Sequence, residues 1–342
     1  MAAGDPRGFG RLLEEFPNHC LEGLLLGERF APLDRSVRAV VVAGMGGSAV
    51  GGDLLSSVLG RSLTVPLQVV RGYDLPPWVA SDSLVVAVSY SGNTEETLSV
   101  FRQAVKAGAQ LAAVTSGGVL LEEAAARGIP HASVPKGLPP RSALGYLFFS
   151  LLQLAARAGV GSVPAGEIEE ALASVRNRLR SVGPTVPTER NLPKRLAQAL
   201  VGKILVVYGS AGLNESVAYR WKTQIEENAK LFSVSGALPE ADHNEVVGWD
   251  GDPSTGQCHA IFLRDRGEDA RITRRMEVTR EIAGRHAETT EVWSEGDGLL
   301  GRTLSLVQLG DWTSYYLALL RGVDPWPVEI IERMKARLAA RG

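Results

Sequence analysis

Short apolar runs, each followed by a Gly- or Ser-rich turn and then an amphipathic segment, recur along the chain. In the first half this pattern predicts strands over 37–43, 67–70, 84–88, 111–115 and 131–134. Helices are predicted after the 44–52 turn, over 95–107, near 119–127 and over 142–158. Residues 9–29 place Phe9, Leu12, Leu13, Phe16, Leu21, Leu24 and Leu25 on a helical period, and Pro17 predicts a break into two pieces. Strands that are apolar throughout, without alternation, fit a parallel sheet covered on both faces.

The pattern then pauses and restarts. Residues 159–166 are rich in Gly, Pro and Ser, and a charged helix at 167–180 leads into Gly183-Pro-Thr-Val-Pro-Thr188. This region divides the chain into a first domain over 1–160, a helical linker over 161–190 and a second domain over 191–342. The second half predicts strands at 203–208, 260–263 and 290–293, with helices ending near 228, over 276–283, 302–321 and 327–340. Val40-Val-Val-Ala-Gly-Met-Gly-Gly-Ser-Ala49 and Ile204-Leu-Val-Val-Tyr-Gly-Ser-Ala-Gly212 are similar strand–turn–helix units. The expected fold class is α/β: two copies of one domain, each a parallel sheet flanked by helices in three layers.

Composition narrows the class. A net charge of −2 gives no general attraction to nucleic acid or membrane. Two distant cysteines, Cys20 and Cys258, exclude a disulfide framework and suit a reducing cytoplasm. The N-terminus has no apolar signal core, and the longest apolar stretch, 144–156, is too short for a bilayer. Neither His-x-x-x-His nor Cys/His spacing occurs, so no metal and no cofactor is implied.

Chemistry concentrates in a few segments. Ser89-Tyr-Ser-Gly-Asn-Thr-Glu95 follows an apolar strand and opens a helix. Helix N-termini present unpaired N–H groups and favour anions, and Ser89, Ser91 and Thr94 add hydroxyls. A phosphate fits; a turn that merely caps its helix is the plainer alternative. Gly44-Met-Gly-Gly-Ser-Ala49 matches a dinucleotide fingerprint in part, yet Arg71-Gly72 stands where an acidic ribose partner belongs. Gly47 and Ser48 could instead approach a sugar phosphate from a second side, or the glycines could serve tight packing. After the 260–263 strand the sequence reads Arg264-Asp-Arg-Gly-Glu-Asp269, acids where the first half has hydroxyls. One phosphate site per chain is therefore expected, in the first domain. Arg141, at a helix start, calls for a compensating anion or is simply exposed. Glu226 and Glu227 lie on different helix faces, and one could be a general base or both could be solvated. His243 in Asp242-His-Asn-Glu245 could move a proton near neutral pH or be a turn histidine.

Taken together, Gly44–Ala49, Ser89–Glu95, Arg141-Ser-Ala-Leu-Gly145, Thr223-Gln-Ile-Glu-Glu-Asn228, Asp242-His-Asn-Glu-Val-Val-Gly248 and Gly322-Val-Asp-Pro-Trp-Pro-Val328 resemble the bifunctional phosphoglucose/phosphomannose isomerase family. That family is a two-SIS-domain branch of the phosphoglucose isomerase superfamily. The resemblance implies that Gly47, Ser48, Ser89, Ser91 and Thr94 hold phosphate and that Arg141 stabilises an enediolate. It implies that Glu227 moves the proton between C1 and C2. His243 and Lys335 would assist ring opening, with His243 reaching in from a partner in a homodimer. Position 226 departs from the pattern by being acidic; facing the site, it would raise the pKa of Glu227. The implied reaction is metal-free interconversion of glucose 6-phosphate and fructose 6-phosphate, with mannose 6-phosphate a further candidate. A non-catalytic phosphosugar-binding SIS protein is the alternative. A glutaminase-coupled synthase would carry a preceding glutaminase domain, and a transcription regulator a basic helix-turn-helix before residue 37.

Overall fold

The computed structural model describes residues 4–30 and 36–340. Five parallel strands build the first sheet: β1 (Ala39–Ala43), β2 (Leu67–Val70), β3 (Ser83–Ser89), β4 (Gln110–Thr115) and β5 (His131–Ser133). Their order is β2-β1-β3-β4-β5. β3 is buried at every position, which is why it reads as an unbroken apolar run. The chain leaves β1 toward one edge and returns to β3 on the other side. In open α/β sheets the crevice beyond such diverging strand ends is where ligands settle. Here the 44–48 turn and the 89–94 loop form its walls.

Six helices belong to this half: α1 (Phe9–Glu14), α2 (Phe16–Gly27), α3 (Gly46–Leu59), α4 (Glu95–Lys106), α5 (Gly118–Ala126) and α6 (Leu144–Arg157). α1 and α2 are the two expected pieces; Pro17 sits in the first turn of α2, where its missing N–H is not needed. Successive strand residues point to opposite faces. Val41 and Val85 pack with Val100 and Ala104 of α4, whereas Val40, Val42 and Val86 share a core with Leu54 of α3 and Leu147 of α6. Helix α6 begins later than the sequence suggested, because 140–143 forms a separate 3-10 turn.

The second half contains α7 (Ala165–Val182), α8 (Leu192–Ala199), β6 (Ile204–Ser210), α9 (Glu215–Ala229), β7 (Ser233–Leu238), α10 (Glu245–Gly251), β8 (Cys258–Arg264), α11 (Ala270–Ala283), β9 (Glu288–Trp293), α12 (Leu299–Leu320) and α13 (Glu329–Ala339). Its parallel sheet has the order β7-β6-β8-β9, so its own crevice lies between β6 and β8. The expected architecture of two helix-flanked parallel sheets is therefore present. α12 is buried on almost every side, as a helix apolar all round should be. It packs on α9, where Trp221 Nε1 donates to the Leu306 carbonyl at 2.8 Å. One continuous core runs from Phe9 and Val40 through Leu147 to Ile225 and Trp312.

Three elements were not anticipated. β7 is an edge strand carrying Ser233, Ser235 and Gly236, so it lacks an apolar run. α8 contains Pro193, but in its first turn, with the Asn191 side chain accepting from the Lys194 N–H. α10 is a seven-residue helix in a polar segment. Among the described residues no helix is long and apolar enough to cross a membrane.

Candidate active site

Both helices that open onto the first crevice start without a side-chain cap. Met45 precedes α3 and Thr94 precedes α4, and neither side chain bonds a helix N–H. Their first-turn N–H groups therefore remain available to a ligand. The hydroxyls are arranged around them. Ser89 Oγ accepts from the Gly92 N–H (3.1 Å) and bonds Thr94 Oγ1 (2.9 Å). Ser48 Oγ accepts from the Tyr90 N–H (3.3 Å), and Ser91 Oγ from the Asn93 N–H (3.2 Å). Each of these last two keeps its O–H proton to donate outward. The Oδ1 of Asn93, by contrast, is taken: it accepts from the Val119 N–H in the first turn of α5.

Gly47 joins this wall to Arg141. A Cβ at Gly47 would lie 3.2 Å from Arg141 Cα, so the start of α3 packs directly on the 140–143 turn. Tyr90 makes a second link that the sequence did not single out. Its hydroxyl donates to the Pro135 carbonyl and accepts from the Leu138 N–H, both at 2.8 Å, fixing the approach to Arg141.

Arg141 is buried, 3% exposed, and reaches across to the second half. Nε donates to Asn228 Oδ1 (2.6 Å), Nη1 to Glu227 Oε2 (3.2 Å), and Nη2 to the Pro325 and Trp326 carbonyls. A guanidinium has five N–H donors. Four are engaged among the described residues, leaving one on Nη1, beside Glu227. Burial works against the Arg141 charge and the Glu227 carboxylate supports it. The ring of Phe9 lies 5.4 Å beneath the guanidinium.

Behind this pair stands a layer the sequence reading missed. Arg220 donates to both oxygens of Asp311 and to the Arg141 carbonyl (3.1 Å). Asn228 Nδ2 donates to Gln224 Oε1 and Ser314 Oγ. Burial pushes the Asp311 carboxyl up, opposed by Arg220. Gln224 and Asn228 follow Arg220 at helical spacing on α9, which was the available signal; Asp311 offered none, being one acid inside an apolar helix.

The remaining candidates fall elsewhere. Glu226 is paired with Lys222 one turn back on α9 (2.8 Å), away from Arg141. Glu227 therefore does not share its surroundings with a second carboxylate from that position. His243 is exposed in the 240–243 turn after β7, and Lys335 is exposed on α13. Among the described residues neither bonds to Arg141 or Glu227. α13 also leaves Ile330, Met334 and Leu338 largely exposed.

The acidic loop of the second half is occupied by its own side chains. Arg264, 1% exposed, is paired with Glu268 and Glu291, and Asp265 with Arg302. The sequence suggests a loop whose acids repel phosphate; Glu268 and Asp265 are instead paired in place with Arg264 and Arg302.

Uncapped helix starts ringed by hydroxyls thus lie beside a buried guanidinium paired with a carboxylate. Residues 189–338 match the family described as the bacterial phospho-glucose isomerase C-terminal SIS domain. A bifunctional phosphoglucose/phosphomannose isomerase of Caldicellulosiruptor bescii is 40% identical over 302 residues, 88% of this chain and 89% of that one. A protein of the same description from Aquifex aeolicus is 38% identical over 303 residues, 88% and 90% of the two chains. The chain belongs to the bifunctional phosphoglucose/phosphomannose isomerase family. The fold is shared with a solved hypothetical protein of Thermus thermophilus, with a TM-score of 0.77 at 18% identity over 98% of this chain and 91% of that one.

Proposed function

We propose that this protein is an aldose–ketose isomerase that interconverts glucose 6-phosphate and fructose 6-phosphate, with mannose 6-phosphate as a second aldose. The observation that carries this reading is the Arg141–Glu227 pair, packed through Gly47 on the start of α3, with one guanidinium N–H unspent beside the carboxylate. In this reading the phosphate sits at the starts of α3 and α4, held by Gly47, Ser48, Ser89, Ser91 and Thr94. Glu227 takes the proton from C2 of the open-chain aldose. The C2–H electron pair becomes the C1=C2 bond and the carbonyl pair moves to O1, which the free Nη1–H of Arg141 meets. Moving the O2–H proton to O1 and returning the carbon-bound proton from Glu227 to C1, with O2 becoming the carbonyl, completes the ketose.

Ring opening needs a proton donor and acceptor at the ring oxygen and the anomeric hydroxyl. His243 and Lys335 take these roles in our reading. Their separation from the Arg141–Glu227 bonding network supports a homodimer in which His243 serves the partner's site. The domain division over 1–160, 161–190 and 191–342 and a cytoplasmic location complete the proposal.

A coupled assay on the three phosphosugars with wild type and Glu227→Gln tests it. Turnover in the wild type and its loss in the variant is the expected result. Wild-type inactivity on all three, or full activity of the variant, overturns the reading. Binding of 6-phosphosugars without turnover would favour a non-catalytic binder.

A further inference from the structure

Among the described residues four helices are followed, directly after the C-cap, by a glycine with left-handed backbone: Gly108, Gly128, Gly159 and Gly322, with φ between 65° and 69°. That is the ordinary choice at such a position, because a Cβ is strained there. α9 ends differently. Its C-cap is Lys230, at φ 55°, and among the described residues it alone combines a side chain with a positive φ. Lysine has no short polar group to stabilise that backbone locally, so this conformation is strained.

The ammonium folds back onto the helix end. Lys230 Nζ donates to the Glu227 carbonyl (2.6 Å) and lies 3.5 Å from the Asn228 carbonyl. Both are final-turn carbonyls with no partner within the helix, where a cation is favourable. Glu227 and Asn228 are also the two residues whose side chains hold Arg141. We infer that Lys230 is a positioning residue: its ammonium clamps the last turn of α9 and so fixes Glu227 and Asn228 against Arg141 for proton transfer. This rests on the isomerase reading above, and Lys230 itself touches no reacting atom.

The charged groups facing Lys230 come from three directions. Glu227 belongs to its own helix, Arg141 to the 140–143 turn, and Arg321 and Asp324 to the segment after α12. Lys230 is exposed as a residue, but partial desolvation of its ammonium at the helix end, and then the Arg141 charge, lower its pKa to about 8, against the opposing pull of Asp324 and Glu227. The clamp therefore loses its charge in mildly alkaline solution, and the alkaline limb of kcat should fall there.

The experiment compares wild type with Lys230→Met, Lys230→Gly and Lys230→Arg. Glycine relieves the backbone and so separates the ammonium from fold strain. The expected result is a kcat lower by about tenfold to hundredfold in the Met and Gly variants, the scale of a slightly displaced catalytic group, with KM little changed. Both should lose the alkaline limb near pH 8. The Arg variant should recover kcat, with its limb moved upward, because a guanidinium stays charged. A Gly variant with wild-type kcat, or one whose slower kcat keeps the wild-type limb, overturns the inference while leaving the isomerase reading intact. A wild type that turns over none of the phosphosugars removes both.

Discussion

Arg220 and Asp311 form a two-pronged ion pair between α9 and α12, with N–O distances of 3.0 and 2.7 Å and both residues at most 5% exposed. The same guanidinium holds the Arg141 carbonyl. Taking one partner from a buried pair leaves the other charge uncompensated, at a cost of about 3–5 kcal/mol. Asp311→Asn should lower the urea midpoint by a corresponding amount without changing the slope, and should lower kcat because Arg141 loses its backing. A stability loss below about 1 kcal/mol, the range of exposed pairs, would contradict the burial argument.

Arg141→Lys keeps the charge and discards the geometry. Lysine presents three donors at one point, whereas Arg141 meets Asn228, Glu227 and two carbonyls from a planar fork. The enediolate would lose its donor, and kcat should drop by about 10²–10³-fold, the scale of one lost oxyanion contact. Steady-state kinetics on fructose 6-phosphate read this directly, and a drop under about threefold would remove Arg141 from its assigned role.

Gly92 shapes the 89–94 loop. Its φ is +71°, and a Cβ there would collide with the Gly117 carbonyl oxygen. Gly92→Ala must displace either the 89–94 loop or the start of α5, so KM for each phosphosugar should rise well beyond the effect of Ser91→Ala, which deletes a single exposed hydroxyl. Equal KM values for the two variants would show that the loop tolerates the shift.

Two buried histidines make stability depend on pH. Burial lowers the pKa of His19, stacked on Tyr146, and of His259, bonded to Thr290, below the ordinary 6.5. Below pH 6.5 the unfolded chain takes up protons that the folded chain resists, so the unfolded state binds more protons and stability falls. The loss begins as pH drops through 6.5 and levels off below the folded-state values. Melting temperatures from about pH 7.5 down to 5 should decline in the wild type, and more gently in a His19→Gln, His259→Gln double variant. Parallel curves for the two proteins would assign the acid sensitivity to other groups.

How much of this could be read from the chain depended on the range of the interaction. β1, β3, β4, β6 and β8 are legible because the middle of a strand buried on both faces is an apolar run, even where polar residues stand at its ends. The 89–94 loop is legible because strand, turn and helix start are contiguous. Arg220 and Asp311 are not: they are far apart in sequence and meet only once α12 packs on α9. Lys230 is equally silent, since nothing local announces a left-handed lysine. β7 escaped because an edge strand can carry serine and glycine, and α8 because Pro193 reads as a break until its place in the first turn is known. The 264–269 loop was read for its acids alone; Arg302, which neutralises Asp265, lies on a later helix.

That loop has a consequence for counting. Its guanidinium is already taken by resident carboxylates, since Glu268 and Glu291 sit on Arg264. Two halves of like topology should therefore differ in whether a phosphosugar saturates them. A phosphosugar titration should reach equivalence at one molecule per chain, a stoichiometry set by a few side chains on a duplicated scaffold.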